Sequence, residues 1–318
     1  MKILVLGGSQ FVSWYIVKRL VEEGHQVTTI TRGSKKAIHG NKVEELYADR
    51  HNELELKEVI GNKEFEHIID VSAYTLDDVE KAYNCFIKKN IKSYVFISSS
   101  AVYIESSILP IKEDFPKGQN KYWGAYGTNK LEAENFLISK SKENGFPVNI
   151  FRPPYIYGEG NNVYREAFIF DRLKEGKAII LPNNGETIVQ FIHIEDLYKS
   201  IEALINSNIV GQAYNVGEEK GISLKEWVQL CIDTYGSSSK IIPYNYKENG
   251  YHERDFFPFF DYEYCLDIEE ISKIYKPKIA MIDGLKSSLE WYLENEDKVG
   301  KRQHYHDNSD KILFALIN

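Results

Sequence analysis

The chain has 318 residues, of which 43% are hydrophobic and 27% are charged, a composition typical of one large folded domain or two modest ones. The formal net charge of -8 at pH 7 argues against a general affinity for nucleic acid or an anionic membrane. Three cysteines without CxxC spacing argue against a disulfide framework or a structural zinc site and indicate a cytoplasmic protein. We predict no signal peptide, because Gly7 and Gly8 interrupt the only apolar run at the N-terminus. We also predict no membrane span, since no stretch approaches ~20 apolar residues.

The first half of the chain alternates predicted strands with predicted helices. Apolar runs that begin at residues 2, 25, 43, 67 and 93 predict strands. Helices are predicted from Trp14 to Glu23 and, behind the capping residue Thr75, to about Asn90. This alternation predicts a parallel sheet with right-handed crossovers, in which ligands bind at the carboxyl ends of the strands.

The second half of the chain is less regular. Its clearest local signal is the capping box at 223–226, which predicts a helix through Ile232. Another helix is expected from about Asp283 to Glu294. Residues 243–264, where Pro, Tyr and Phe are frequent, are expected to form a packed loop.

The C-terminal end joins a polar stretch to an apolar one. Residues 299–310 are expected to form a polar tail, in which His304 and His306 are interpreted as tail residues and not as metal ligands. The run 312–317 is apolar, so we expect it to be buried. We favour burial on its own subunit over burial on a partner.

The stretch from Gly7 to Trp14 lies where the first strand turns into the first helix. Glycine at such a turn lets pyrophosphate approach the backbone, and the helix N-terminus contributes N–H groups. Gln10 and Ser13 stand where the full fingerprint has glycine. Two glycines alone therefore leave a plain strand-to-helix turn as an equal alternative.

Two further stretches carry groups that suit a carbonyl–alcohol reaction. Tyr126 and Lys130 are four residues apart and would share a helix face. A nearby ammonium lowers the pKa of a phenol from its usual ~10, which suits a general acid or base. The hydroxyls of residues 98–100 follow an apolar strand and would bond a substrate oxygen. Each signal alone also fits chance spacing among 22 tyrosines or simple capping of a strand end.

In this order, the glycine turn, the serines and Tyr-x-x-x-Lys resemble the extended short-chain dehydrogenase/reductase family, the NAD(P)-dependent epimerase/dehydratase group. The similarity continues at 152–158 (RPPYIYG), 191–197 (FIHIEDL) and 214–217 (YNVG). It extends to about residue 295. The resemblance therefore covers nearly the whole chain.

The resemblance implies an α/β fold, with a Rossmann-type doubly wound parallel sheet and a smaller α/β C-terminal substrate-binding portion. The NAD(P)-binding domain would comprise 1–160 and about 186–216. The substrate-binding portion would comprise about 161–185 and 217–298. Residues 299–318 would form the tail.

The resemblance also implies a set of site residues. Ser99 and Tyr126 would hold the reacting hydroxyl or carbonyl, and Lys130 would bind the nicotinamide ribose and lower the pKa of Tyr126. Alignment on Val102 and Tyr103 favours Ser99 over its neighbours. The implied cofactor-binding residues are Gly7, Gly8, Ser9, Gln10, Phe11, Val12, Arg32, Asp49, Arg50, Ser72, Ala73, Tyr126, Lys130 and Pro153.

Two departures from the family pattern narrow the expected chemistry. Dehydratases of this family carry an Asp-Glu pair directly after the hydroxyl residue, but Ser100 and Ala101 stand there, so a sugar 4,6-dehydratase is not expected. The end of the second strand, residues 31–35, has no acidic residue. Arg32 suits the 2'-phosphate of NADP, so NADP(H) is favoured over NAD(H). The alternative is that Arg32 is simply solvated.

Substrate recognition has a weaker signal. Val189 stands where nucleotide-sugar epimerases often have an arginine for the substrate diphosphate. Arg165, Arg172 and Arg254 are the possible replacements, with a surface position as the alternative for each. His193 is interpreted as a structural hydrogen-bonding residue.

The leading hypothesis is an NAD(P)-dependent oxidoreductase or epimerase that acts on a nucleotide sugar or similar polyol, as a homodimer built partly by the helix of Tyr126. The glycine turn, residues 257–273 and residues 283–292 are also similar to the branch of chloroplast stem-loop RNA-binding proteins and their bacterial relatives. The second hypothesis is therefore an RNA-binding or regulatory protein on a dehydrogenase scaffold. The presence of Tyr126 and Lys130 favours the enzyme.

Overall fold

The computed structural model describes residues 1–34 and 40–317. Lys35, at the end of the stretch considered for cofactor choice, lies outside the described residues. The chain divides into two units. The first unit comprises Met1–Pro154, Ile194–Gly217 and Leu266–Pro277, and the second comprises Tyr155–His193, Glu218–Cys265 and Lys278–Asn318.

Strands and helices alternate through the first half, as predicted. The strands are β1 Lys2–Leu6, β2 Gln26–Thr31, β3 Val43–Tyr47, β4 His67–Asp70, β5 Ser93–Ile97, β6 Val148–Arg152, β7 Tyr155–Tyr157, β8 Ile179–Pro182, β9 Ile188–Val189, β10 Phe191–His193, β11 Gln212–Asn215, β12 Ile222–Ser223 and β13 Ile241–Tyr244. The α-helices are α1 Phe11–Glu22, α2 Glu53–Ile60, α3 Leu76–Phe86, α4 Gly124–Asn144, α5 Glu166–Lys174, α6 Ile194–Ser207, α7 Leu224–Tyr235, α8 Glu269–Ser272, α9 Met281–Glu294 and α10 Gln303–Ile317.

A seven-stranded sheet forms the centre of the first unit, in the order β11-β6-β5-β4-β1-β2-β3. All its neighbouring strands are parallel. Strand β4 is buried along its whole length, as expected for a parallel strand covered on both faces. The predicted α/β fold class is therefore confirmed, and the carboxyl ends of these strands meet at one edge.

Helices cover both faces of this sheet. On one face, α2, α3 and α4 pack on a core that includes Leu4, Ile68 and Phe96. On the other face α1 packs against α6, where the Tyr15 hydroxyl donates to Glu195 at 2.8 Å. No helix in the described part of the chain is long and apolar enough to cross a membrane.

The second unit contains three two-stranded sheets, β7 with β10, β8 with β13, and β9 with β12, together with α5, α7, α9 and α10. An aromatic core that includes Phe191, Trp227 and Phe259 fills it. These units differ from the expected domain bounds. Residues 155–160 and 186–193, expected in the NAD(P)-binding domain, belong to the second unit, and residues 266–277, expected in the substrate-binding portion, belong to the first, where α8 contacts β11.

Local capping signals predicted the starts of two helices well. Thr75 and Asp78 form a reciprocal capping box that begins α3, and Ser223 and Glu226 form another that begins α7. By contrast, α1 begins at Phe11 and not at the expected Trp14, since the extended Gln10 is its N-cap. The predicted end of α3 near Asn90 is also several residues late.

The polar tail expected at 299–310 is not a tail, because α10 begins at Gln303. The expected burial of the apolar run on its own subunit is also largely wrong. Ile312 is buried, but Phe314 is 71% exposed and Ile317 is 82% exposed. Helical spacing explains this, since Tyr305 and Ile312 share the buried face while the last apolar residues point away from it.

Charged side chains attach α10 to α5. The Arg172 guanidinium is fully buried, so the surface position given as the alternative for this residue is wrong. It pairs with Asp310 and donates to the carbonyl oxygen of Ala178 at 2.9 Å. Lys177 adds a contact to Asp310 at 2.7 Å. A buried charge of this kind is stable only while it has a partner.

We therefore expect Asp310→Ala to lower the free energy of unfolding by about 2–3 kcal/mol, because it leaves a buried guanidinium without its carboxylate. Lys177→Ala is the matched control. Its ammonium is partly exposed, so the loss should stay below about 1 kcal/mol. Urea unfolding of both variants measures the difference, and equal losses would show that the burial of Arg172 carries no extra cost.

Candidate active site

The glycine turn between β1 and α1 has a backbone that ordinary residues rarely adopt. Gly7 has φ 114° and Gly8 has φ 135°. A Cβ atom on Gly8 would lie 2.9 Å from Cγ2 of Thr29. Both positions therefore require glycine, for conformation and, at Gly8, also for space.

Ser13, which stands where the full fingerprint has its third glycine, packs closely against the turn. This side chain is buried, and its hydroxyl donates to the carbonyl oxygen of Gln10 at 2.9 Å. A Cβ atom on Gly7 would lie 3.1 Å from Cβ of Ser13, so the hydroxymethyl group packs directly over Gly7. Helix and strand still meet closely, because the bare Gly7 backbone makes room.

The N-terminus of α1 suits an anion. Its first N–H groups, from Phe11 and Val12 onward, have no acceptor within the helix, and its first turn has no acidic residue. Ser9, half-buried, and Gln10, exposed, complete the turn before it. Backbone N–H groups and the positive end of the helix dipole together favour a phosphate.

At the end of β2 the chain turns through Thr31 and Gly33, whose N–H donates to the Thr31 hydroxyl at 3.2 Å. Arg32 lies on this turn and is exposed. Within the described part of the chain its guanidinium has no ion-pair partner, so it is accessible to an anionic ligand.

Asp49 and Arg50 follow β3, and their side chains have different surroundings. Asp49 is half-buried, and its carboxylate accepts from the N–H of His51 at 3.0 Å. Arg50 points into the unit, where its guanidinium donates to Asp70 at 2.9 and 3.0 Å and to the Ser72 hydroxyl at 2.6 Å. Arg50 therefore braces the end of β4.

The Lys130 side chain runs from α4 to the ends of two strands. Its ammonium, 3% exposed, donates to the carbonyl oxygen of Ala73 at 2.6 Å and to that of Ile97 at 2.8 Å. Burial lowers its pKa to about 8, although the Asp70 carboxylate opposes this shift. The ammonium is thus fixed in place and stays protonated near neutral pH.

Tyr126 lies one helical turn before Lys130 and remains accessible. Its side chain is 39% exposed, and its ring centroid lies 6.1 Å from that of Tyr74, which is 56% exposed. The Lys130 ammonium lies 5.0 Å from the centroid of the Tyr74 ring. Tyr74 therefore contacts both members of the predicted pair, and sequence reasoning missed it.

The serines after β5 have separate roles. Ser98 is buried and donates to Glu134 at 2.5 Å. Ser99 is half-buried, and its hydroxyl accepts from the N–H of Ala101 at 3.2 Å. Ser100 and Ala101 are buried, and the N–H of Ser100 donates to the carbonyl oxygen of the buried Pro153 at 3.0 Å.

Gly127 lets α4 approach this serine turn. A Cβ atom on Gly127 would lie 2.3 Å from the carbonyl oxygen of Ala101, which no side chain can tolerate. The helix carrying Tyr126 and Lys130 therefore rests on the turn that follows Ser99. The glycine between the two predicted residues is the sequence signal for this close packing.

A buried ion pair fixes the same helix to β6. Glu134, one turn after Lys130, accepts from Arg152 at 2.6 and 3.0 Å. Arg152 also donates to the hydroxyl of Tyr103 at 2.8 Å. Because Glu134 holds Ser98 as well, this pair sets the position of α4 along the strand ends.

In the second unit, the residues considered for substrate binding have protein partners. His193 is buried and shares a hydrogen bond of 3.2 Å with the Ser287 hydroxyl, as expected of a structural residue. Val189 is buried in β9. The Arg165 guanidinium lies 4.8 Å from the ring centroid of Tyr155, and that of Arg254 lies 4.8 Å from the ring centroid of Phe260.

The first unit thus brings the glycine turn, Ala73, Ser99, Tyr126 and Lys130 to the carboxyl edge of one parallel sheet. The glycine turn, with its positive φ values at Gly7 and Gly8, and the absence of acid in the first turn of α1 fit the pyrophosphate of a dinucleotide. The accessible phenol beside a buried ammonium fits proton transfer at a carbon–oxygen bond.

Comparisons with known proteins give a match to a family model and similarity to curated relatives. The model of the NAD dependent epimerase/dehydratase family matches residues 3–217. The chain is 30% identical, over 90% of its length and 78% of the relative's, to the chloroplast stem-loop binding protein of 41 kDa b from Arabidopsis thaliana. It is 26% identical, over 74% of its length and 81% of the relative's, to a UDP-glucose 4-epimerase from Corynebacterium glutamicum.

Among solved structures, the fold is similar to that of the dTDP-glucose 4,6-dehydratase from Bacillus anthracis in complex with NAD. The TM-score is 0.78 at 19% identity, and the match covers 93% of this chain and 98% of that one. At this identity the likeness concerns the fold alone. It supports the parallel sheet with helices on both faces that is described above.

We expect Gly127→Ala to lower the free energy of unfolding by about 1–3 kcal/mol, because the added methyl group must push α4 away from Ala101. Gly300→Ala is the matched control, since nothing lies within 4 Å of the added atom and the loss should be within about 0.5 kcal/mol. Urea unfolding measures both. A Gly127→Ala variant as stable as the parent would contradict the close packing.

Proposed function

Because this chain belongs to the NAD-dependent epimerase/dehydratase family, we propose that it is an NAD(P)-dependent oxidoreductase or epimerase acting on a nucleotide sugar. The supporting observation is the fixed ammonium of Lys130, on the same helix face as the accessible phenol of Tyr126. The relative named as a UDP-glucose 4-epimerase supports the substrate class.

In this proposal each residue has a distinct task. Tyr126 exchanges a proton between its phenol oxygen and the reacting substrate oxygen, and Ser99 donates a hydrogen bond to that same oxygen. The Lys130 charge favours the phenolate form of Tyr126. Bound nicotinamide supplies the hydride chemistry. The chain's own contribution is to hold the oxygen, the proton and the charge in one place.

The same reasoning favours NADP(H) as the cofactor, with NAD(H) as the alternative. The turn after β2 has no acidic residue up to Ser34, and Arg32 on it is exposed. A guanidinium there would pair with a 2'-phosphate. The pyrophosphate would lie on residues 7–12, and Asp49 would lie near the adenine.

We also propose that the reaction is not a 4,6-dehydration. The family's acid and base for water elimination would stand at Ser100 and Ala101, and neither side chain can supply a carboxyl group. Both are buried as well.

The homodimer built partly by α4 and the cytoplasmic location also belong to this proposal. The mass of the particle in solution tests the homodimer.

A second candidate function is RNA binding, and one observation favours it. The relative at 30% identity is named as a stem-loop binding protein. The net charge of -8 works against it, since RNA affinity depends on neutralising phosphates. Filter binding with a stem-loop RNA at low and high salt separates the two functions, because true binding should weaken steeply as salt rises.

We expect Tyr126→Phe to lower turnover about 10²–10⁴-fold, because it removes the proton that the phenol exchanges. NADPH binding should persist, since the ring remains. Tyr83→Phe is the matched control, as Tyr83 packs against Phe136 and Phe146. The measurement is interconversion within a panel of UDP- and dTDP-hexoses, and undiminished turnover in Tyr126→Phe would remove this residue from the mechanism.

We expect Arg32→Ala to weaken NADPH binding about 10- to 100-fold and to leave NADH binding unchanged, because only the former carries the 2'-phosphate. Lys42→Ala removes an exposed cation that immediately precedes β3 and should change neither affinity. Nicotinamide fluorescence titrations measure the dissociation constants of both nucleotides for the parent and the two variants. An equal loss for both nucleotides would contradict the role of Arg32.

A further inference from the structure

A buried ion pair joins two distant strand ends in the first unit. Strands β1 and β2 lie between β3 and β4 in the sheet, yet Arg50, which follows β3, reaches Asp70 at the end of β4. The guanidinium donates to both carboxylate oxygens, at 2.9 and 3.0 Å. Asp70 is fully buried, and the Tyr94 hydroxyl donates to it at 2.6 Å.

This pair shapes the turn that receives Lys130. The Asp70 carboxylate accepts from the N–H of Ser72 at 3.2 Å and from the N–H of Ala73 at 3.1 Å. Arg50 also donates to the Ser72 hydroxyl at 2.6 Å. The carbonyl oxygen of the same Ala73 accepts from the Lys130 ammonium at 2.6 Å, so an unbroken series of contacts links Arg50 to Lys130.

We propose that the Arg50–Asp70 pair is a positioning device for Lys130, because it braces the turn at Ser72 and Ala73 to which the ammonium is bonded. The inference rests on the proposed function, since it assigns the pair a role in placing a group that acts beside Tyr126. It gives Arg50, a member of the implied cofactor-binding set, a role that acts through Asp70.

The same pair acts on the charge of Lys130. Burial lowers the pKa of this ammonium to about 8, the Asp70 carboxylate raises it, and the Arg50 guanidinium lowers it. Glu134 on α4 and Asp78 on α3 are the other carboxylates that raise it. From β5 the ammonium meets only the Phe96 ring and a backbone carbonyl.

Two variants should therefore move the pKa of Lys130 in opposite directions. Asp70→Asn keeps an oxygen that accepts from the turn but removes the charge, so the pKa should fall. Arg50→Met removes a nearby positive charge, so the pKa should rise. Shifts of opposite sign show that both charges act on the ammonium, which an ion pair remote from Lys130 would not do.

The titration is read on the protein without cofactor, from the pH dependence of the Lys130 ammonium signal in ¹⁵N NMR spectra. Lys130→Arg identifies that signal by its disappearance. The control is Glu44→Gln with Lys63→Met, which removes the ion pair between β3 and the segment before β4 and should leave the pKa of Lys130 unchanged. Shifts of the same sign in the two test variants, or no shift in Asp70→Asn, would overturn the proposal.

A double variant provides a further test of the proposal. Where Arg50→Met does not fold, the neutral double variant with Asp70→Asn replaces it, because removing both charges avoids an unpaired buried carboxylate. The pKa of Lys130 should then lie below that of the parent, and an unchanged value would overturn the proposal.

NADPH titration of Asp70→Asn at pH 8 supplies the second readout, with an expected loss of affinity of about tenfold because the lysine is then less charged and less firmly held. A parent protein that binds no NADPH would contradict the proposed function. The NMR titration would still decide the role of the ion pair, so the two failures are distinguishable.

Discussion

The candidate site depends on one buried charge, the ammonium of Lys130. An ammonium removed from water needs oxygen acceptors nearby, and the ends of two adjacent parallel strands supply them as the carbonyl oxygens of Ala73 and Ile97. These bonds fix α4 against the strand ends. Tyr126, one helical turn earlier, is thereby fixed at the surface of the same edge.

In this arrangement the charge of Lys130 is buried while the phenol of Tyr126 is exposed. Lys130 is 3% exposed and Tyr126 is 39% exposed, so in the proposed mechanism the ammonium acts through its field while the phenol is accessible to the substrate. A field is stronger where water is excluded. In the proposed mechanism, burial of the lysine therefore both holds the ammonium in place and strengthens its effect on the phenol of Tyr126.

Two buried ion pairs inside the first unit also fix α4 and the strand ends in place. The Glu134–Arg152 pair holds α4 to β6, and the Arg50–Asp70 pair holds the turn at the end of β4. Buried ion pairs add little net stability, but they penalise any arrangement that separates their partners. Here the arrangements that they penalise are those in which α4 slides along the strand ends and Lys130 loses its acceptors.

Local patterns in the sequence by themselves determined the alternating strands and helices, the glycine turn at Gly7 and Gly8, the capping boxes of α3 and α7, and the spacing of Tyr126 and Lys130, because each depends on residues within one or two turns of chain. Only the tertiary structure decided that Arg50 faces Asp70, that Gly127 rests on Ala101, and that most of the last apolar residues of α10 point outward. Those contacts join segments far apart in the chain, and no local periodicity records which distant residues a fold will bring together.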